Sequence, residues 1–166
     1  MSARGAYTGE VARSLVDLSR ELLHGPPQSG GYVLNPGDVG LQRSLEKLSA
    51  EAASAIATGG SSVAAHVAHL TYAMSLLRRW ADGEKNPWAD ADWSTSWKQT
   101  RVTEKEWREL HREFQVTSEK WSEVLRTPRP VEPAEFIGLI GTVVHLAYHM
   151  GAIRQIDRAT RGPASL

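Results

Sequence analysis

The sequence predicts an all-α chain, folded as a four-helix bundle with one long crossover connection and a short extra helical segment. Three observations predict it. Apolar residues recur at helical spacing along most of the 166 residues, and no segment sustains the two-residue alternation of a strand. Stretches rich in Gly and Pro cut that pattern into four principal segments. One connection is about 20 residues long, where bundle neighbours are usually joined by 2–8. The length suits a single domain over 1–166 with one hydrophobic core.

Each element follows in order. Val11, Leu15, Leu18 and Leu22 make the apolar stripe of a first helix, which stops before "HGPPQSGG". "YVLNPGD" reads as an extended turn, with Asp38 a candidate N-cap for the short segment at residues 39–57, which carries Leu41, Leu45 and Leu48. "TGGSS" breaks the chain again. Ser61 or Ser62 then caps a helix over 61–82 with Val63, Val67, Leu70, Met74 and Leu77 inward. Residues 83–102 show no apolar period but hold Trp88, Trp93 and Trp97. Thr103 and Glu106 form a capping box for a helix over 103–126, whose inward positions are Trp107, Leu110, Phe114, Trp121 and Leu125. "TPRPVEP" ends it, and Pro133 suits the first turn of a last helix with apolar Ile140, Val143, Val144, Ile153 and Ile156. A 22-residue helix is roughly 33 Å long. The 83–102 connection can span that length and leave helices 61–82 and 103–126 parallel, the one-crossover form of the bundle.

Composition narrows function. With 19 basic and 19 acidic residues the formal net charge is zero, so no basic surplus argues for nucleic acid. No cysteine is present, which excludes disulfides, thiolate metal sites and cysteine nucleophiles. Any protein-derived metal site must therefore use histidine and carboxylate. "MSARGAYTGEVARSL" lacks the apolar core of a signal peptide. No window reads as a membrane span, and the expected location is the cytoplasm.

"HLAYHMGAIRQI" sets His145 and His149 four apart, on one helix face with Cβ atoms roughly 5–6 Å apart. That spacing suits two ligands of one metal ion, and it equally suits core packing. A third imidazole has to come from elsewhere. His24, at a helix end beside Gly25, and His111, on a mixed face, read as structural or surface residues. "SSVAAHVAHLTYAM" supplies His66 and His69 on an apolar helix. In an antiparallel partner His69 reaches a height comparable to His145 and His149. Three neutral imidazoles suit a divalent transition metal, with a position left for water or substrate.

These residues carry a resemblance. "SSVAAHVAHL" and "HLAYHMGAIRQI" resemble the two histidine segments of the DinB-like family of bacterial four-helix-bundle proteins, whose superfamily includes thiol S-transferases. The likeness spans residues 6 to 160. It implies a three-histidine site of His69, His145 and His149 for zinc or nickel, and a homodimer. "PPQSGGYVLNPGD" and the tryptophan-rich 83–102 connection depart from the family pattern.

Neighbouring residues carry two readings each. His66 is a lining or core histidine, or it acts behind the ligands. Tyr72 packs, or reaches a ligand. Trp97, with Trp88 and Trp93, clamps the connection, or walls the site. Gly138 and Gly141 permit close helix approach, or room above a metal. Arg154 and Gln155 belong to a polar seam or dimer contact. The residue after His145 is Leu146, where a helix-borne H-E-x-x-H protease carries its general base, so protease chemistry is not expected. The leading functional expectation is metal-dependent thiol transfer, joining a small-molecule thiol to an electrophile. The alternatives are a non-catalytic, stress-associated bundle with a structural metal, and a metal-dependent hydrolase or isomerase.

Overall fold

The computed structural model describes residues 5–7, 9–56 and 60–164. Its helices are α1 (Gly9–His24), α2 (Gly40–Leu45), α3 (Ala50–Ser54), α4 (Val63–Ala81), α5 (Trp93–Ser96), α6 (Glu104–Arg126) and α7 (Pro133–Ile156). A short ribbon pairs β1 (Gly5–Tyr7) antiparallel with β2 (Arg129–Val131), Gly5 opposite Val131. The all-α bundle expected from the sequence is present, with this ribbon as an addition that three-residue strands give too little pattern to announce. Ala57 of the expected 39–57 segment, Thr58 and Gly59 of the expected break, and residues 1–4 and 8 of the segment read for a targeting signal lie outside the described residues.

The long helices start where their caps allow. Ser62, not Ser61, accepts the Ala65 N–H at 3.2 Å and opens α4. Thr103 and Glu106 make the reciprocal capping box of α6, and Pro133 stands at the start of α7. Each such cap is worth about 1 kcal/mol.

Contacts between elements fix their directions. Val102, just before α6, donates its N–H to Ser54 Oγ at 3.0 Å, and Ile56 bridges Ser62 just before α4. The starts of α4 and α6 therefore lie at one end of the bundle. Trp80, at the end of α4, donates Nε1–H to Glu135 at the start of α7, 3.1 Å away. So α4 and α6 run parallel, and α7 runs antiparallel to α4. α7 packs against α1 and α4, and α6 fills the opposite corner against the same two helices. One continuous core joins them, from Ala12 and Leu22 through Leu41, Leu70, Phe114 and Trp121 to Leu146 and Ile153.

Four expectations need correction. The 39–57 segment is two short helices, because the chain turns at residues 46–49 to set Ser49 as the N-cap of α3, accepting the Ala52 N–H at 3.1 Å. Asp38 is not the N-cap of α2. That position is Val39, while Asp38 accepts Gly40 N–H at 2.9 Å and is held by Arg154 Nη2 at 2.8 and 2.9 Å. Ile140 and Val144 do not join the core: both are exposed, because α7 is apolar on its outer face as well. For the same reason α7 is, by length and composition, long and apolar enough to cross a bilayer, with a third of its most apolar window buried in the bundle.

The segment between α1 and α2 is tied down by a buried carboxylate. Glu21 is 2% exposed and accepts the N–H groups of Tyr32, Val33 and Leu34 at 2.9, 2.7 and 2.6 Å. Burial alone would raise its pKa; the three backbone donors prevail and hold it below the usual carboxylate range. The same segment closes where Gly25 (φ 94°) meets Asp38 and Gly40 (φ 75°) meets Gly25, conformations and clearances that leave no room for a side chain.

Candidate metal centre

The Ser62 cap sets the phase of α4 so that His66 and His69, one turn apart, face α7. There His145 and His149, also one turn apart, face back. His66, His69 and His149 are 8%, 6% and 2% exposed, and His145 is half-buried. The antiparallel pairing puts His69 beside His145 and His66 beside His149, with Nε2 of His69 and His145 3.2 Å apart and Nε2 of His145 and His149 2.8 Å apart. Three ligand nitrogens, one each from His69, His145 and His149, lie within 4.8 Å of one another. Among the described residues this is the one such group of three histidine, cysteine or carboxylate side chains, and it contains no carboxylate.

The second ring nitrogens of His69 and His149 are engaged elsewhere. Ser96 Oγ lies 2.8 Å from His69 Nδ1 and donates its hydrogen to the Trp93 carbonyl at 2.7 Å. The hydroxyl therefore accepts from His69, which fixes the proton on Nδ1 and turns the Nε2 lone pair toward the other two rings. His149 Nδ1 lies 2.8 Å from His66 Nδ1. The donor set fits a divalent transition ion: nitrogens about 2 Å from a tetrahedral centre stand about 3.3 Å from each other, and His145 Nε2 lies 3.2 Å from that of His69 and 2.8 Å from that of His149.

Burial pushes the His69 imidazole down to about 4, with His145 and His66 adding like-charge repulsion. Burial likewise takes His149 down to about 3, helped by His145, His66 and His69, and it lowers His66 and His145. All four rings are neutral near pH 7, the state in which imidazole binds a metal.

Part of the long connection forms the wall. Asp92 caps α5 by accepting the Thr95 N–H at 2.9 Å, and Tyr72 Oη on α4 accepts the Asp92 N–H at 3.0 Å. Trp97 then lies flat on His69, centroids 4.3 Å apart at 22°, and stands edge-on to His66 at 5.1 Å. Trp93 reaches His69 at 5.7 Å. Trp97 and His66 thus line the cluster, whereas Tyr72 serves to clamp the connection. Trp88 is not part of this wall; it lines an apolar pocket with Leu77 and Trp80 at the far end of α4.

His111 stacks on Trp107 and His24 ends α1, both away from the cluster. Arg154 forms the polar seam with Asp38. Gly138 and Gly141 have nothing near the place of a Cβ, so neither is there for close approach within the bundle. Sequence reading did not single out Ser96. The signal was the Asp92-x-x-Thr95 cap, which marks a helical turn inside a connection that otherwise has no periodicity.

Comparison with known proteins identifies the family of the chain. The family model described as the DinB superfamily matches residues 39–153, from just before α2 to near the end of α7, more than half of the chain. The match begins after the "PPQSGGYVLNPGD" departure and includes all four clustered histidines. No curated protein and no solved structure matches significantly. The chain belongs to the DinB superfamily.

Proposed function

We propose that the protein is a cytoplasmic metal-dependent enzyme of the thiol-transferase type, with zinc or nickel held by His69, His145 and His149. The observation that carries the metal site is the convergence of one ring nitrogen each from His69, His145 and His149 within 4.8 Å of one another, with Ser96 placed to hold the other nitrogen of His69. A bound divalent ion would supply Lewis acidity at a position the protein does not fill, holding a low-molecular-weight thiol as thiolate.

The rest falls to this chain. Among the described residues no carboxylate joins the cluster to act as general base, so chemistry that needs a protein base for water is less well supported than attack by a thiol the ion itself acidifies. In the transfer, the thiol proton goes to solvent, a sulfur–carbon bond forms to the electrophile, and the leaving group departs with its electron pair. Trp97 and Trp93 exclude water on the His69 side, and the half-buried His145 marks the side open to substrate.

Cobalt substitution tests this reading. A low-molecular-weight thiol should add a thiolate-to-metal charge-transfer band to the cobalt protein and react with a model electrophile at a pH well below the ~8.5 of a free thiol. His69→Ala should show only the solution rate. A cobalt spectrum that no thiol perturbs at millimolar concentration would leave a structural metal as the better account.

A further inference from the structure

Each hydrogen-bonded pair of imidazole nitrogens shares one hydrogen, and each neutral ring has one to offer. All four rings of the cluster are neutral near pH 7. The places of the hydrogens then follow in turn from Ser96. Its hydroxyl accepts from His69 Nδ1, so His69 Nε2 is bare. That nitrogen lies 3.2 Å from His145 Nε2, and the hydrogen between them belongs to His145. His145 Nε2 also lies 2.8 Å from His149 Nε2, which therefore accepts. His149 carries its own hydrogen on Nδ1 and donates it to His66 Nδ1, 2.8 Å away. His66 keeps its hydrogen on Nε2.

His66 thus ends a chain of four rings, and the end constrains the rest. Were His66 the donor, His149 would hold its hydrogen on Nε2, where the three ligand nitrogens meet. The partner that orients a ligating imidazole is usually a carboxylate, a carbonyl or water. Here it is a neutral ring, 8% exposed, with Trp97 edge-on to it at 5.1 Å. Neutral partners at both His69 and His149 leave a divalent ion its full charge, which favours an anionic further ligand such as a thiolate.

We propose that His66 is a positioning residue of the metal centre. It accepts the Nδ1 hydrogen of His149 and keeps the Nε2 lone pair of that ring on the converging point. His145 is then the one ligand that must move its hydrogen from Nε2 to Nδ1 when an ion enters. It is also the half-buried ring of the three, which gives water access to carry that hydrogen across. This role rests on the metal site of the proposed function and not on thiol transfer.

Nitrogen NMR of histidine-labelled protein reads the tautomers. Without metal, His69 and His149 should carry hydrogen on Nδ1, and His66 and His145 on Nε2; zinc should switch His145 alone. A hydrogen on His149 Nε2 or on His66 Nδ1 would overturn the proposal whatever the metal does. Zinc affinity, measured by competition with a chelator, is the second readout. His66→Phe keeps a ring without the acceptor and should bind zinc about 10–100-fold more weakly, with the helical signal unchanged. His66→Asn sets an amide oxygen near the place of Nδ1 and should recover most of that loss. Equal affinity in His66→Phe and wild type, or His66→Asn no tighter than His66→Phe, would also overturn it. A wild type that takes up no zinc would remove the metal site and this role together, whereas a cobalt protein that no thiol perturbs would remove transfer alone.

Discussion

Ser96 contributes no ligand atom, yet it decides what His69 can do. Its hydroxyl spends its hydrogen on Trp93 and so takes the Nδ1 proton of His69, leaving Nε2 as a ligand. Such outer partners typically carry 10–100-fold in metal affinity. Ser96→Ala should therefore weaken zinc binding by about that factor, and Ser96→Thr should retain most of it, as read by competition with a chromophoric chelator. Equal affinity in Ser96→Ala and wild type would show that the tautomer is set otherwise. At this scale the sequence was generous with ligands and silent on their partners. His145 and His149 are legible because i, i+4 spacing places them on one face. Ser96 belongs to a four-residue helix in a connection, and only the folded chain brings it against α4.

Among the elements, the long helices were readable because their stripes and caps agree. Trp107, Leu110, Phe114 and Trp121 repeat on one face of α6, and Thr103 with Glu106 marks its start. Thr103→Ala should lower the unfolding free energy by about 1 kcal/mol. The segment between α1 and α2 was not readable in the same way, since its order comes from Glu21, an acidic residue in a helix that looks amphipathic. Removing that carboxylate strands three backbone donors, so Glu21→Ala should cost about 3 kcal/mol or more, clearly more than the lost cap. Urea titration of both variants checks the order, and a Glu21→Ala cost no larger than that of Thr103→Ala would contradict it. The outward apolar face of α7 escaped notice for a related reason. A helix with apolar residues on all sides gives no phase, and Val144 cannot be told from Val143 until neighbours are known.

For the whole molecule, packing four imidazoles between α4 and α7 ties stability to pH. The folded chain keeps His69 neutral down to about 4 and His149 down to about 3. An unfolded chain takes up protons from about pH 6.5 downward. Their neutral state thus stabilises the fold fully above that value, and the contribution drains away as pH falls toward 4. The metal-free protein should lose urea resistance steadily from about pH 6.5 to about pH 4.5, and His149→Phe should flatten that slope. A wild-type midpoint unchanged over this range would mean that the rings are not buried as described. The parallel run of α4 and α6 was legible from the length of one connection, because no shorter path returns the chain to the same end. The ribbon β1–β2 and the Asp38–Arg154 seam join residues over 100 positions apart, and no local pattern announces such pairs.

Metal content per chain tests the central claim most directly. Purified protein loaded with zinc or nickel should hold one ion per chain. His69→Ala, His145→Ala and His149→Ala should each lose it with the helical signal retained. His66→Ala should still fill at excess metal, since its ring meets His149 at Nδ1 and not at the converging nitrogen. Full occupancy in any of the first three variants, or loss in His66→Ala alone, would contradict the three-histidine centre.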